Sequence, residues 1–447
     1  MSMTPPPQPP QKTGWLERLR TSFAPEEADT GITTERGRKR AIALLFVCLI
    51  GNGLGQTLMF AILPPLAREL GLTEFQVGSI FAVSATIWVF SSAYWGARSD
   101  RWGRRPVILI GLAAFGISTI TFAGVMMFGL WGMLTPLATY ALLIAARCIF
   151  GIFGSGAYPA SQAYIADRTT PDKRTEGMAT LNAAFGLGAA VGPGIGAALT
   201  VFGVVAPIFF VGIIGLFSAV AIWLLLPERT APHQRQELKP LSWRDPRVLP
   251  FVIFAVMQGT AGAIPIQTIA FVIRDTLNPS VSDTQQLAGV GLMCSAIASL
   301  FAQFVLVQRF RLGTSFLVHA GIWVALVSNL LVILAIIAPN YGLIAFALVL
   351  SGLGFGMLRP GFAGASSLAV SPDEQGAMAG LTGGAGAAGF IFAPLIGNAL
   401  YGLNPILPYI LATVLMGTLA TYLLRSRTLT EAMMRERHDI VDPPPPA

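Results

Sequence analysis

The stretch Gly96-Ala97-Arg98-Ser99-Asp100-Arg101-Trp102-Gly103-Arg104-Arg105-Pro106 decides how this chain is read. It is dense in charge and lies between two long apolar runs, one ending at Trp95 and one beginning at Pro106. A short polar segment in that setting reads as a tight turn at a membrane surface. Gly96 and Gly103 permit turn geometry or a close helix approach. The four arginines place the turn on the cytoplasmic side, because short loops rich in Lys and Arg are retained there. Asp100 is the single acid among them, set to pair with an arginine or with a helix N-terminus.

Composition supports a membrane setting. Of 447 residues, 54% are hydrophobic and only 11% are charged, against about 25% charged in soluble domains. A spanning helix needs about 20 apolar residues. Twelve such segments are read near residues 41–66, 75–96, 106–128, 134–163, 176–201, 206–226, 248–272, 286–308, 315–338, 341–364, 376–400 and 406–424. A hydrophilic linker, residues 227–247, separates an N-terminal bundle (41–226) from a C-terminal one (248–424). The expected fold is therefore an all-α membrane protein of two six-helix bundles.

The ends read differently. Residues 1–40 are Pro-rich and then charged, without a signal-peptide pattern, and are expected to be a disordered cytoplasmic arm. Trp15 to Arg20 is long enough only for a short surface helix. Residues 425–447 are expected to be a cytoplasmic tail. Cys48, Cys148 and Cys294 each lie in an apolar run and read as small buried side chains, with no metal-type spacing.

Charge placement sets the topology. Of the 29 Lys and Arg, 25 fall in the arm, the tail and the 2–3, 4–5, 6–7 and 8–9 loops. Arg68 and Arg274 fall on the other side, and Arg147 and Arg359 fall within spans. That asymmetry puts both termini in the cytoplasm of a multi-pass cell-membrane protein. The net charge of +7 thus needs no nucleic acid to explain it.

The halves are repeats of each other. A shift of 201 residues carries Gly151, Pro159, Gly188, Pro193 and Gly196 onto Gly352, Pro360, Gly389, Pro394 and Gly397. Parallel six-helix repeats about an axis along the membrane normal are what a rocking transporter requires, with its substrate site between them.

Three motifs carry a resemblance. Gly96-x-x-x-Asp100-Arg101-x-Gly103-Arg104-Arg105 resembles the signature between helices two and three of the major facilitator superfamily. Gly188-x-x-x-Gly192-Pro193-x-x-Gly196 resembles the helix-five signature of that family's drug/proton antiporters, with Ala197 and Ala179 standing where glycines are usual. Arg147 followed by Gly151, Gly154, Gly156 and Pro159 resembles its helix-four pattern. The resemblance covers nearly all of residues 41–424 and is greatest to tetracycline and multidrug efflux pumps.

The resemblance implies a cavity lined by helices one, four, seven and ten. These helices offer Asn52 and Gln56, then Arg147, Ser155 and Tyr158, then Gln258 and Gln267, and finally Arg359. Trp88 and Tyr94 add aromatic area. A large apolar pocket with a few amides and two cations suits an amphipathic or anionic organic molecule. Helix–helix hydrogen bonding explains the amides equally well. An arginine at the depth of Arg147 costs about 2.5–3.5 kcal/mol or more and should face the cavity or a partner.

The gate is expected at the opening motif. Asp100 is expected to pair at the start of helix eleven, near Gln375, and Arg104 to reach Asp167. Both contacts are expected to hold the halves together on the cytoplasmic side and to favour the outward-facing state. In the 8–9 loop, Arg311 and Gly313 echo Arg101 and Gly103, but Phe310 stands in place of the acid.

None of the 22 Asp and Glu lies in the middle of a span. The resemblance implies a buried carboxylate in the first helix or elsewhere in the cavity of many proton-coupled members, and Gln56 stands at the place for a helix-one acid. Asp100 or Asp167 could carry a proton at the gate, His319 could titrate, or the substrate gradient could drive transport. A gentle pH dependence is expected. The functional expectation is a secondary transporter, most simply a proton-coupled exporter of drugs or metabolites. An organic-anion permease and a non-transporting sensor or chaperone stay open as alternatives. The expected partners are the lipid bilayer, a small-molecule substrate and protons, with a monomeric chain. No cofactor, metal or catalytic cluster is expected, and the chain does not read as an enzyme.

Overall fold

The structure, a computed structural model, describes residues 35–169, 171–227, 241–310, 312–371, 374–426 and 428–429. Most of the arm, linker and tail, together with Arg311, Pro372 and Asp373, lies outside these residues. Among the described residues, twelve helices are long and apolar enough to cross a membrane. They are α1 (Lys39–Glu69), α2 (Glu74–Trp102), α3 (Arg104–Leu130), α4 (Pro136–Ala166), α5 (Gly177–Phe202) and α6 (Ala206–Leu225) in the N-terminal half. The C-terminal half holds α7 (Leu249–Leu277), α8 (Val281–Arg309), α9 (Thr314–Ile337), α10 (Tyr341–Leu368), α11 (Gln375–Leu403) and α12 (Leu407–Arg425). The arginine-rich stretch marks one face of the molecule, here called the motif face; the other is the far face.

Helix starts on the far face are written locally. Thr73 and Ser280 cap α2 and α8 by accepting from the amides of Gln76 and Asp283. Thr135 and Asn340 cap α4 and α10 in the same way. Each cap satisfies a backbone donor that a helix start otherwise leaves open.

The repeat is visible in packing. Ser118 Oγ donates to the Ala146 carbonyl at 2.6 Å, and Ser328 Oγ to the Ala347 carbonyl at 2.7 Å. Tyr140 OH meets Ser79 Oγ at 2.7 Å, and its repeat mate Tyr341 donates to the Leu287 carbonyl at 2.9 Å. Gly53 of α1 lies against the Phe185 carbonyl of α5, and Gly259 of α7 against the Gly386 carbonyl of α11. Helices in lipid associate by such close small-residue packing, since apolar burial alone gives no preference for a neighbouring helix over lipid.

The core divides unevenly along the membrane normal. Toward the far face a single apolar cluster joins the halves, with Leu58, Ile62 and Phe81 packed in one body with Phe271, Leu292 and Tyr401. Toward the motif face there are two main clusters, with a smaller third of Ala302, Leu317 and Met357 within the C-terminal half. One holds Leu45, Trp95, Tyr164 and Ile222 from the N-terminal half. The other holds Phe254, Phe362, Met378 and Leu419 from the C-terminal half. The halves are therefore closed on the far face and parted on the motif face.

Three local features depart from the sequence reading. The opening motif is not a loop: α2 continues to Trp102 and α3 starts at Arg104, so Gly103 alone breaks the helix, at φ 97°. Nothing in Gly96 to Trp102 forbids a helix, and only glycine adopts that φ without strain. In addition, α4 tightens to a 3-10 turn at Gly154–Gly156, and α8 widens to a π-helical stretch at Ala302–Arg309.

Candidate functional site

Arg104 is the hub of the motif face. Placed by Gly103 in the first turn of α3, its Nε donates to Asp167 Oδ2 at 3.0 Å. Its Nη1 lies 2.6 Å from Asp100 Oδ1 and donates to Ser99 Oγ at 2.6 Å. Ser99 Oγ in turn donates to the Gly96 carbonyl at 2.8 Å. Two arginines at a helix N-terminus oppose the helix dipole; the two carboxylates offset that cost. Arg105 donates to the Trp223 carbonyl of α6, and Arg98 stacks on Trp102 at 3.9 Å.

This geometry corrects one expectation. The Arg104 to Asp167 bond joins α3 to the end of α4, inside the N-terminal half, so it does not itself tie the halves together. Asp100 pairs with Arg104 of its own motif. The parted halves explain why: α11 begins at Gln375 in the opposite half, beyond the cleft.

The C-terminal half has its own tether on this face. Arg247, just before α7, contacts Asp245 at 2.8 Å and Glu374 at 3.2 Å. Hydrogen bonds from Arg247 hold both carboxyls below their usual range, with Ser371 adding to the effect at Glu374.

The expected cavity residues fall into separate groups. Asn52 is buried and Gln56 half-buried on α1, while Gln258 and Gln267 are buried on α7. A shift of 206 residues makes Gln258 the mate of Asn52, as Gly259 is of Gly53. Gln258 Oε1 has no hydrogen-bond partner. Arg147 is 5% exposed, its Nε and Nη1 are unpartnered, and its Cζ lies 4.9 Å from the Phe150 ring centre. Arg359 is exposed and sits 5.9 Å from the Phe355 ring centre. Ser155 Oγ turns back to the Ile152 carbonyl of its own helix. No hydrogen bond or ion pair joins Asn52, Gln56, Arg147, Gln258, Gln267 and Arg359 to one another.

Tyr158 belongs to a cluster that sequence reading missed. Its hydroxyl donates to Asn182 Oδ1 on α5, which also accepts from Gln162 Nε2 at 3.2 Å. The Tyr158 ring packs on Phe185 at 5.3 Å. Tyr158 and Gln162 are one helical turn apart, which was the available signal. Asn398 of α11 was also missed; it is fully buried with both amide atoms unpartnered. His319 Nδ1 is occupied by the Ser315 carbonyl, 2.7 Å away on the same helix.

The α5 motif has two faces. Gly188 lies against the Ile50 carbonyl, Gly192 would place a Cβ 2.6 Å from the Leu54 carbonyl, and Gly196 packs on Leu58, so these glycines seat α1. Thr57 Oγ1 ties the pair by donating to the Ala189 carbonyl at 2.8 Å. Pro193 turns the other way, and its carbonyl meets Gly289 of α8 in the opposite half.

The model of the Major Facilitator Superfamily matches residues 45–274. Multidrug resistance protein 1 of Bacillus subtilis (strain 168) is 26% identical over 373 residues, covering 83% of this chain and 91% of that protein. Quinolone resistance protein NorA of Staphylococcus aureus (strain COL) is 24% identical over 375 residues, covering 82% and 91%. Among solved structures, a bacterial homologue of the human lysosomal transporter Spinster, inward-facing and occupied, superposes with a TM-score of 0.70 at 15% identity. That match covers 90% of this chain and 99% of the other. With its twelve spans in two repeated bundles and a cleft between them, this chain belongs to the Major Facilitator Superfamily, whose members are secondary transporters and not enzymes.

Proposed function

We propose that this transporter exports a small amphipathic organic molecule from the cytoplasm across the cell membrane, in exchange for protons. The observation that supports it most is the divided core: the cleft opens on the face that carries most of the basic residues. By the positive-inside rule that face is cytoplasmic, with both termini on it. The chain thus rests ready to load from the cytoplasm. The α5 motif and the drug-resistance relatives agree with export.

In the opposite state the motif face closes. Gly78 and Gly96 of α2 are 18 residues apart, five turns at about 3.6 residues per turn, so they share a helix face. Gly78 packs on Pro394 of α11, whereas Gly96 has nothing near it. Gly376 and Gly383 share the Pro394 face of α11 and are equally open. Closing would bring Gly96 onto these glycines and Asp100 toward the start of α11. Asp100 and Asp167 are then the candidate proton carriers, released from or returned to Arg104 as the face opens and closes.

A second reading keeps the fold but changes the cargo. Arg147 and Arg359 bring cationic groups into the spans with no carboxylate paired to them. That favours an organic anion moved without a buried acid. One experiment separates the readings: uptake of a fluorescent cation and a fluorescent anion by expressing cells, with and without a protonophore. Protonophore-sensitive exclusion of the cation, lost in Asp100→Asn, supports proton-driven export. Anion movement that needs Arg147 and ignores the protonophore replaces it with the permease reading.

A further inference from the structure

At the far face, the last turns of α1 and α7 carry the same dipeptide pattern, basic then acidic: Arg68-Glu69 and Arg274-Asp275. The 206-residue shift that relates Gly53 to Gly259 also relates these two pairs. They meet reciprocally. Arg68 of α1 grips Asp275 of α7 through two donors, with Nη2 to Oδ2 at 2.8 Å. Arg274 of α7 donates to Glu69 of α1 at 3.2 Å. Each half thus gives one arginine and takes one carboxylate across the pseudo-twofold axis.

We infer that these four residues form a two-fold clasp that sets the transport cycle by holding the far-face gate shut while the cleft is open to the motif face. The pairs join opposite halves, so they must break whenever the far face opens. The Arg68 to Asp275 arm is the more deeply held. Asp275 is 20% exposed and also accepts from the hydroxyl of Tyr401, a buried residue of α11, at 2.8 Å. Arg68 also bridges to Glu74 at 2.7 Å and lies 6.0 Å from the Phe271 ring centre. The charged groups around Asp275 are therefore Arg68 and Glu69 from α1, Glu74 from α2 and Arg274 from its own helix, with Tyr401 from α11. The clasp sits directly over the single apolar cluster that joins the halves.

The inference rests on the transporter cycle but not on the cargo or the coupling ion. Ala197 of α5 is 3% exposed and faces Gly289 across the far-face seam, so it reports opening. The experiment uses full-length protein in nanodiscs, with Cys48, Cys148 and Cys294 replaced by alanine and Ala197→Cys as the probe for maleimide. Asp275→Asn and, separately, Glu69→Arg are expected to speed labelling at least fivefold. The double variant Glu69→Arg with Arg274→Glu restores opposite charges and is expected to bring the rate back within twofold of the parent. Monodisperse elution checks folding of each variant. Unchanged labelling in both single variants overturns the clasp. Faster labelling in Glu69→Arg that the double variant fails to reverse also overturns it, because a merely structural site has no reason to respond to charge order. Both readouts need no substrate, so they stand apart from any failure of the export reading.

Discussion

Gly78 of α2 lies against the carbonyl oxygen of Pro394 of α11 with no room between them for a Cβ. The halves meet there without a side chain on one partner, near the far face, while the same helices stand apart at Gly96 and Gly383. One pair of helices thus carries both the closed and the open end of the cleft.

Substitutions at the two ends should act in opposite directions. Gly78→Leu forces a side chain into backbone, and overpacking of this kind costs about 1–3 kcal/mol. It should drive the molecule toward the state open on the far face. Gly383→Leu meets nothing in the present state and should leave thermal stability unchanged while blocking closure of the motif face. Melting temperature and far-face thiol labelling together check this pair of outcomes.

Arg104 serves two carboxylates and a hydroxyl through two nitrogens, Nε for Asp167 and Nη1 for Asp100 and Ser99. A lysine ammonium is a single point charge and cannot reproduce that fork. Arg104→Lys is expected to lose transport nearly as fully as Arg104→Gln. Losing charge-assisted hydrogen bonds should also cost about 1.5–3 kcal/mol of stability. Initial transport rates and melting temperatures of both variants test the claim; full activity in the lysine variant contradicts it.

Arg147 is the reverse case, a buried guanidinium with two unpartnered nitrogens. Replacing a poorly compensated buried charge by an apolar side chain is often neutral or stabilising by about 1–4 kcal/mol. Arg147→Met should therefore melt at the same or a higher temperature than the parent. Transport of an anionic probe should fall by roughly tenfold or more, equivalent to about 1.4 kcal/mol of lost selective stabilisation. Parallel loss of folding and transport would assign Arg147 a structural role.

The Arg247 tether gives a pH signature. Its hydrogen bonds depress the Asp245 and Glu374 carboxyls in the folded protein. A carboxyl with a depressed folded pKa adds stability above its unfolded value, near pH 4, and loses it as pH falls through the folded value. The melting-temperature difference between parent and Arg247→Gln should thus be constant near neutral pH and shrink below about pH 4. The effect is small because the pairs lie at the surface, with Arg247 exposed, and are screened by solvent. A difference that grows on acidification contradicts the assignment.

Much of this was legible in the sequence, and the rest was hidden for identifiable reasons. Apolar length marked all twelve spans, because the bilayer demands it. The helical state of Arg98 to Trp102 was obscured by charge, which suggests a loop although it does not break a helix. The pairing of Asn52 with Gln258, and of Arg68-Glu69 with Arg274-Asp275, needed a shift of 206 residues, whereas α4 and α5 match at 201. An ungapped comparison aligned on α4 and α5 therefore misses the first helices of the two halves. Arg68 and Arg274 stood out as the basic residues on the far side, but reciprocal pairing depends on how the bundles are docked. The Tyr158, Asn182 and Gln162 cluster likewise depends on the rotation of α5 against α4, which no spacing rule fixes.

Alternating access is tested most directly by the distance between spin labels at Trp102→Cys on α2 and Gln375→Cys on α11, in the cysteine-replaced background. Both positions are exposed at the motif face. A long distance should dominate in the unliganded parent, with a second, clearly shorter population that grows when the clasp is opened by Asp275→Asn. A single distance, unmoved by that variant, by substrate or by pH, would contradict alternating access through the α2 and α11 surface.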